Sequence, residues 1–288
     1  MITAVTTAAV ASWRRKTVGK VVFVPTMGAL HSGHAALIQR ARRLAGKDGG
    51  VAVSIFVNPT QFGPSEDLSR YPRPIRADAA LCRSEGVDLL FRPDVREMYA
   101  SDVSVAVSEK SLSLRFEGAE RPGHFDGVCT VVALLFQMIR PEIAVFGEKD
   151  WQQLAVIRRM VRDLKFPIRI AGHPIVREED GLALSSRNRF LPAGARAMAP
   201  RIFQALTAAA MEAEAGTKHA SLERQLRRDL GRIPGATLNY ASIVEETTLE
   251  PLGRITSQTK ARALVAVKLG GVRLLDNLAI PLGNSLAP

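Results

Sequence analysis

Cysteine is scarce: Cys82 and Cys129 are the only two in 288 residues. Both fall on helix-like stretches without metal-ligand spacing or a C-x-x-C pair, so neither a disulfide framework nor a cysteine metal site is expected. Long apolar runs are lacking too. Residues 128–139 are among the longest and carry Gln137, well short of the roughly 20 residues a bilayer span needs. No membrane helix is expected. The opening stretch MITAVTTAAVASWRRK sets its basic residues after the apolar ones, the reverse of a secretory signal, so no targeting segment is expected and the cytoplasm is the default location. Aromatic-rich RNP-type stretches, zinc-finger spacing and low-complexity basic tails are missing as well. The formal net charge of +11 therefore fits an enzyme of anionic substrates or a nucleic-acid holder, and charge alone does not choose. Arginines at 40, 42 and 43, at 158, 159 and 162, and at 224, 227 and 228 fit solvated helix faces.

What is present is an ordinary globular composition, 47% apolar and 23% charged, enough for a substantial core and one large domain plus a smaller one. Strand-like and helix-like runs alternate: strand 21–24, helix 35–45, strand 51–57, helix 75–85, strand 87–91, helix 126–139, strand 143–146, helix 151–164, strand 168–170. Strands as continuously apolar as VAVSIFV predict an α/β fold whose parallel sheet is covered by helices on both faces. After residue 175 the texture changes. A polar loop, REEDGLALSSRNR, precedes two helix-like stretches, 196–215 and 220–230, and two strand-like ones, 238–244 and 263–267. This predicts a first domain over 1–175 and a smaller α+β domain over 176–288.

The segment VVFVPTMGALHSGH carries the clearest chemical signal. The strand 21–24 leads into a tight connection, Pro25 to Gly33, and a helix start, where unpaired N–H groups and the helix dipole favour an anion. Gly28 and Gly33 would let backbone approach a polyphosphate, and His31 and His34 can donate to phosphate oxygens. Gly28 and Gly33 have P-loop spacing, but His34 and Ala35 stand where Lys and Ser/Thr are required. Three further clusters follow strand ends or open loops. Asn58 and Gln61, in FVNPTQFG, offer amides suited to a hydroxy acid. Gly147, Glu148, Lys149 and Asp150 end a strand and open a helix, with Asp150 as N-cap, Lys149 as a compact charge, and Gln152 or Gln153 facing a cleft. Leu184, Ser185, Ser186, Arg187 and Asn188 lie in a polar loop that suits a mobile lid gripping phosphate.

Together and in this order, PTMGALHSGH, SIFVNPTQFGP, DLSRYPR, GHFDGVCTVV, RPEIAVFGEKDWQQL and VREEDGLALSSRN resemble the pantothenate synthetase family, ATP-dependent ligases joining pantoate to β-alanine. H-x-G-H with a later S-S-R-N resembles the HIGH and KMSKS elements of the wider nucleotidylyltransferase superfamily. The resemblance implies a Rossmann-like N-terminal domain, a smaller C-terminal domain that closes over the site, and a homodimer. It implies ATP contacts from Pro25, Met27, Gly28, Ala29, Leu30, His31, Ser32, Gly33 and His34, from Gly147, Glu148, Lys149 and Asp150, and from Val176, Leu184, Ser185, Ser186 and Arg187. His34 would donate a proton to the departing pyrophosphate, with His31, Lys149 and Arg187 beside it in catalysis. Gln61 and Gln153 would bind pantoate, Gln61 bordering the β-alanine position, with Asn58 at the same site. Leu184 stands where the family commonly has methionine, a near volume-conserving swap. The acidic run some members carry around 73–78 is thinned to Asp78, so no protein ligand to metal is assigned and Mg2+ would ride on the ATP phosphates.

The implied reaction is attack of the pantoate carboxylate on the α-phosphorus, then of the β-alanine amine on the acyl adenylate. It needs positioning and charge neutralisation but no nucleophilic side chain. Small-molecule partners are expected, with no nucleic acid and no membrane. Adenylation of another small acid, AMP transfer to a mononucleotide, and an RNA-binding module drawing on the positive charge are the alternatives.

Overall fold

The computed structural model describes residues 1–282 apart from 65, 67, 253–255, 257 and 258. Asp67 of the DLSRYPR segment and residues 283–288 of the expected second domain lie outside them. The chain divides into two compact units, one of Met1–Glu148 with Gln152–Pro174, the other of Lys149–Trp151 with Ile175–Pro288. Among the described residues no helix is long and apolar enough to cross a membrane.

The first unit is built on β1 (Ile2–Ala4), β2 (Val21–Thr26), β3 (Gly50–Ile55), β4 (Leu89–Phe91), β5 (Ile143–Gly147) and β6 (Arg169–His173), all parallel in the order β1-β4-β3-β2-β5-β6. Val21, Val22, Phe23 and Val24 are all fully buried, as a strand covered on both faces requires. Successive strands step one way from β2 and the other way from β5, so the order reverses between these two, where open α/β sheets bind ligands. Between the strands run α1 (Thr7–Lys16), α2 (Ser32–Ala45), α3 (Ile75–Ser84), the short α4 (Val95–Met98) and α5 (Glu117–Glu120), α6 (His124–Ile139) and α7 (Trp151–Asp163).

Three expectations need correction here. The predicted helix start at residue 35 lies at Ser32, because His31 is the N-cap and its imidazole takes over an orphan N–H of the first turn. The predicted strand 51–57 stops at Ile55, since Asn58 and Pro59 begin a tight 3-10 turn. The opening stretch, which the sequence marks only as no signal, contains β1 and α1. Thr6 caps α1 through Ala9 N–H, Val10 and Trp13 face inward, and Arg14, Arg15 and Lys16 sit at the electronegative C-terminal end.

The second unit packs α8 (Ala193–Met198), α9 (Arg201–Glu214) and α10 (His219–Gly231) with an antiparallel sheet of β7 (Ala236–Glu245), β8 (Ala261–Leu269) and β9 (Val272–Ile280). Leu206, Leu226 and Leu230 share its core with Val265 and Val267. The single helix predicted over 196–215 is two, broken around Pro200, whose ring cannot continue the ladder. The third strand, β9, is not among the predicted ones. β8 and β9 are joined by Gly270 (φ 56°) and Gly271 (φ 84°), both left-handed as a two-residue type I′ hairpin demands.

Candidate active site

The turn after β2 is held from beneath. Leu30 N–H donates to Asp78 Oδ1 at 2.8 Å, and Tyr71 O–H donates to Gly28 O at 2.8 Å. Gly28 has φ 73°, and a Cβ there would stand 2.7 Å from Asp78 Oδ2. Only glycine meets both conditions without strain. Asp78 is 2% exposed, a buried carboxylate spent on shaping this turn. His31 and His34 then make a reciprocal cap: Gly33 N–H donates to His31 Nδ1 at 3.1 Å and His31 N–H to His34 Nδ1 at 3.3 Å. A ring nitrogen that accepts an N–H carries no proton, so both imidazoles are neutral with hydrogen on Nε2. Their ring centroids are 4.1 Å apart.

Beside the turn stands a buried amide network. Asn58 gives its two amide hydrogens to Gln61 Oε1 at 3.2 Å and Gly127 O at 3.1 Å. Its Oδ1 accepts from Thr60 N–H and O–H and from Tyr99 O–H. Burial pushes the Tyr99 phenol up, keeping that donor protonated. Gln61 in turn points Nε2 at Met27 Sδ, 3.0 Å away, so the structure brings Met27 and Gln61 together. Asn58 is 1% exposed, with its hydrogen bonds committed inside the protein; it orients Gln61.

The main chain of Gln61 is anchored separately. His124 Nδ1 lies 2.9 Å from Gln61 O, and Arg121 Nη1 lies 3.2 Å from His124 Nε2. Arginine can only donate and a carbonyl only accept, so His124 is neutral with hydrogen on Nδ1. Burial and then the Arg121 charge hold its pKa below the ordinary histidine value. Arg121 also forks onto Glu66 at 2.8 and 2.6 Å.

Between Gln152 and Gln153, the structure commits the first. Gln152 accepts from Glu117 N–H and donates to Leu112 O and Arg115 O, whereas Gln153 is half-buried. Pro25, Ala29, Ser32, Gly147 and Glu148 also belong to the first unit.

Lys149, Asp150, Val176, Leu184, Ser185, Ser186 and Arg187 belong to the second. Lys149, Ser185, Arg187 and Asn188 line one cavity there, together with Arg273 and Asp276. Asp150, predicted as the N-cap of α7, lies in a 3-10 turn, Glu148–Asp150, directly before that helix. The S-S-R-N loop is braced at several points. Ser185 caps a 3-10 turn, Ser186–Phe190, through Arg187 N–H, and Leu184 N–H donates to Val176 O at 2.9 Å. Asn188 ties Glu178 to Ala183 O, and Arg196 pairs with both Glu178 and Asp180. Arg177 forks onto Asp276 at 2.7 and 2.9 Å and lies 3.7 Å over the Phe203 ring. These braces preorganise the backbone around Ser185 and Arg187.

The supports Asp78, Tyr71, Tyr99, Arg121 and His124 are not among the residues the sequence singles out for the site. Only Asp78 and His124 have a local signal, an acid in the first turn of α3 and a histidine after Gly123.

A family model described as pantoate-beta-alanine ligase matches residues 2–279. A pantothenate synthetase of Acidothermus cellulolyticus is 50% identical over 262 residues, 90% of this chain and 85% of that protein. The crystal structure of a pantothenate synthetase of Thermus thermophilus superposes with a TM-score of 0.90 at 48% identity, covering 98% of this chain and 100% of that one. A pantoate-beta-alanine ligase of Francisella tularensis, complexed with β-γ ATP and β-alanine, gives a TM-score of 0.77 at 33% identity over 97% of both chains.

Proposed function

The chain belongs to the pantoate-β-alanine ligase family, and on that premise we propose that it makes pantothenate from pantoate and β-alanine through a pantoyl adenylate. It is a ligase of pantothenate biosynthesis. In the first step a pantoate carboxylate oxygen bonds to the α-phosphorus of ATP while the bond to the β-phosphate breaks and pyrophosphate leaves. In the second, the β-alanine amine attacks the acyl carbon, the bond to AMP breaks, and the amine proton passes to solvent.

The observation that carries the residue assignments is the capped turn at the β2 edge. Accepting at Nδ1 turns Nε2–H of both His31 and His34 into fixed donors, suited to charge that builds on phosphate oxygens. His34 in this state donates a hydrogen bond; loss of its Nε2 proton would leave an imidazolate. The proton-donor role expected for it gives way to electrostatic stabilisation. Gln61, held at both side chain and carbonyl, binds pantoate with Gln153, and Asn58 acts through Gln61. Lys149, Ser185 and Arg187 bind phosphate, Leu184 holds ATP beside them, and Val176 contacts the adenine side. Asp78 Oδ1 is committed to Leu30 N–H, so magnesium enters as Mg-ATP on the phosphates. A homodimer and a cytoplasmic location are proposed on the family resemblance.

Pantoate-dependent pyrophosphate release without β-alanine tests the route. The wild type should release it, with losses of about 10²-fold or more in His34→Ala and Lys149→Ala. Release that never depends on pantoate refutes the adenylate, and wild-type rates in both variants remove those residues from the mechanism.

A further inference from the structure

Lys149–Trp151 is a three-residue excursion: its neighbours on both sides belong to the first unit, yet it packs with the second. Three elements of the antiparallel sheet region hold it. Asn277 on β9 donates from Nδ2 to Lys149 O at 2.8 Å. Arg262 on β8 lies with its guanidinium 3.4 Å over the Trp151 ring. Trp151 Nε1–H donates to Glu246 O, just beyond β7, at 2.8 Å. These supports are themselves joined, because Arg262 Nη1 donates to Asn277 Oδ1 at 2.8 Å and Nη2 to Glu246 Oε2 at 3.3 Å.

The amide of Asn277 has one possible orientation. Arg262 can only donate to it and the Lys149 carbonyl can only accept from it, so oxygen faces the arginine and nitrogen the lysine backbone. Asn277 is 1% exposed, and the Arg262 side chain is 11% exposed, so water competes little for these bonds. The stacked guanidinium adds a planar contact that lysine could not reproduce.

The geometry points to Asn277 and Arg262 as positioning residues for Lys149, fixing its backbone at the cavity it lines with Ser185 and Arg187, while its ammonium rests 3.4 Å from Asp150 Oδ1. This rests on the reading of Lys149 as a phosphate-binding group. Neither residue needs to touch substrate. A lysine has a long, flexible stem, so the place of its main chain decides how much of its ammonium population reaches a phosphate.

The test is a double-mutant cycle on pantoate-dependent pyrophosphate release. Asn277→Asp keeps an oxygen for Arg262 and replaces the donor to Lys149 O with an acceptor. It should lower kcat about 10-fold in the wild-type background, and by under about 2-fold when Lys149 is already alanine. Arg262→Lys, which keeps the charge and loses both the guanidinium fork onto Asn277 and Glu246 and its contact over Trp151, should follow the same pattern and decides the matter if Asn277→Asp does not give a cooperative melt. Equal losses in both backgrounds, or none in either variant while Lys149→Ala is impaired, overturn the positioning role and leave the reading of Lys149 intact. Wild-type release by Lys149→Ala overturns both.

Discussion

His34 Nδ1 accepts the backbone N–H of His31, so one imidazole serves two ends: a helix cap at Nδ1 and a donor at Nε2. The two functions separate by substitution. His34→Asn can place an amide oxygen near the Nδ1 position and keep the cap, but lacks anything at Nε2. It should melt close to the wild type and release pyrophosphate about 10²-fold more slowly. His34→Ala should lose the same activity and also about 1 kcal/mol of stability with the cap. Melting curves and initial rates on the two proteins check this, and an active Asn variant would remove Nε2–H from the chemistry.

The turn that precedes those histidines depends on the fit between Gly28 and Asp78. Gly28→Ala must hold a side chain at φ 73° with its Cβ 2.7 Å from a carboxylate oxygen. A left-handed non-glycine residue costs about 1–2 kcal/mol before that contact is counted. Asp78→Ala opens room but takes the carboxylate acceptor away from Leu30 N–H, costing about 1–3 kcal/mol. Both single variants should be less stable in urea, and the double variant should be less than additive because alanine at 78 relieves the crowding at 28. Strict additivity would contradict a shared cause.

Much of the sheet is legible in the sequence because burial on both faces writes itself as runs such as VVFV and VAVSIFV, and the β2 turn because glycine and histidine follow a strand directly. The rest depends on partners distant in sequence. β9 escapes the pattern because Asp276-Asn277 reads as turn chemistry. In the fold these residues are 6% and 1% exposed, satisfied by Arg177 and Arg262. Asn58 reads as a substrate amide because its sequence neighbours do not reveal Tyr99 or Gly127. The braces on the loop of Ser185 and Arg187 come from residues 178, 196 and 276, and its polar composition does not announce them.

One of those braces makes a sharp stability prediction. The Arg177 and Asp276 side chains are 16% and 5% exposed, so removing one partner strands a buried charge. Arg177→Met should destabilise the second unit by about 3–5 kcal/mol, and Asp276→Leu added to it should recover part of that loss, since an apolar pair avoids the desolvation cost but takes away the Asp276 Oδ1 acceptor of Asn277 N–H, worth about 1–3 kcal/mol. Urea denaturation of the wild type, the single variant and the double variant checks this. A single variant as stable as the wild type would mean that the ion pair is not held in solution.

Acid should act through His124. Its folded pKa lies below the ordinary histidine value, first because it is buried and then because Arg121 faces it, with the bond to the Gln61 carbonyl, Glu66 and Glu117 opposing. Above about pH 6.5 the folded and unfolded forms are both neutral, and the stability associated with the site is whole. As pH falls below that, the unfolded chain takes up a proton that the folded one still refuses. Stability then falls by up to about 1.4 kcal/mol per pH unit until the lower folded value is reached. His124→Gln removes the titration and keeps an amide donor for the Gln61 carbonyl. The wild-type Tm should therefore fall more steeply than that of the variant between about pH 7 and pH 5, the two curves running parallel above that range. Parallel curves throughout would mean that His124 takes up its proton at the same pH folded and unfolded, and that the burial and the Arg121 contact do not hold in solution.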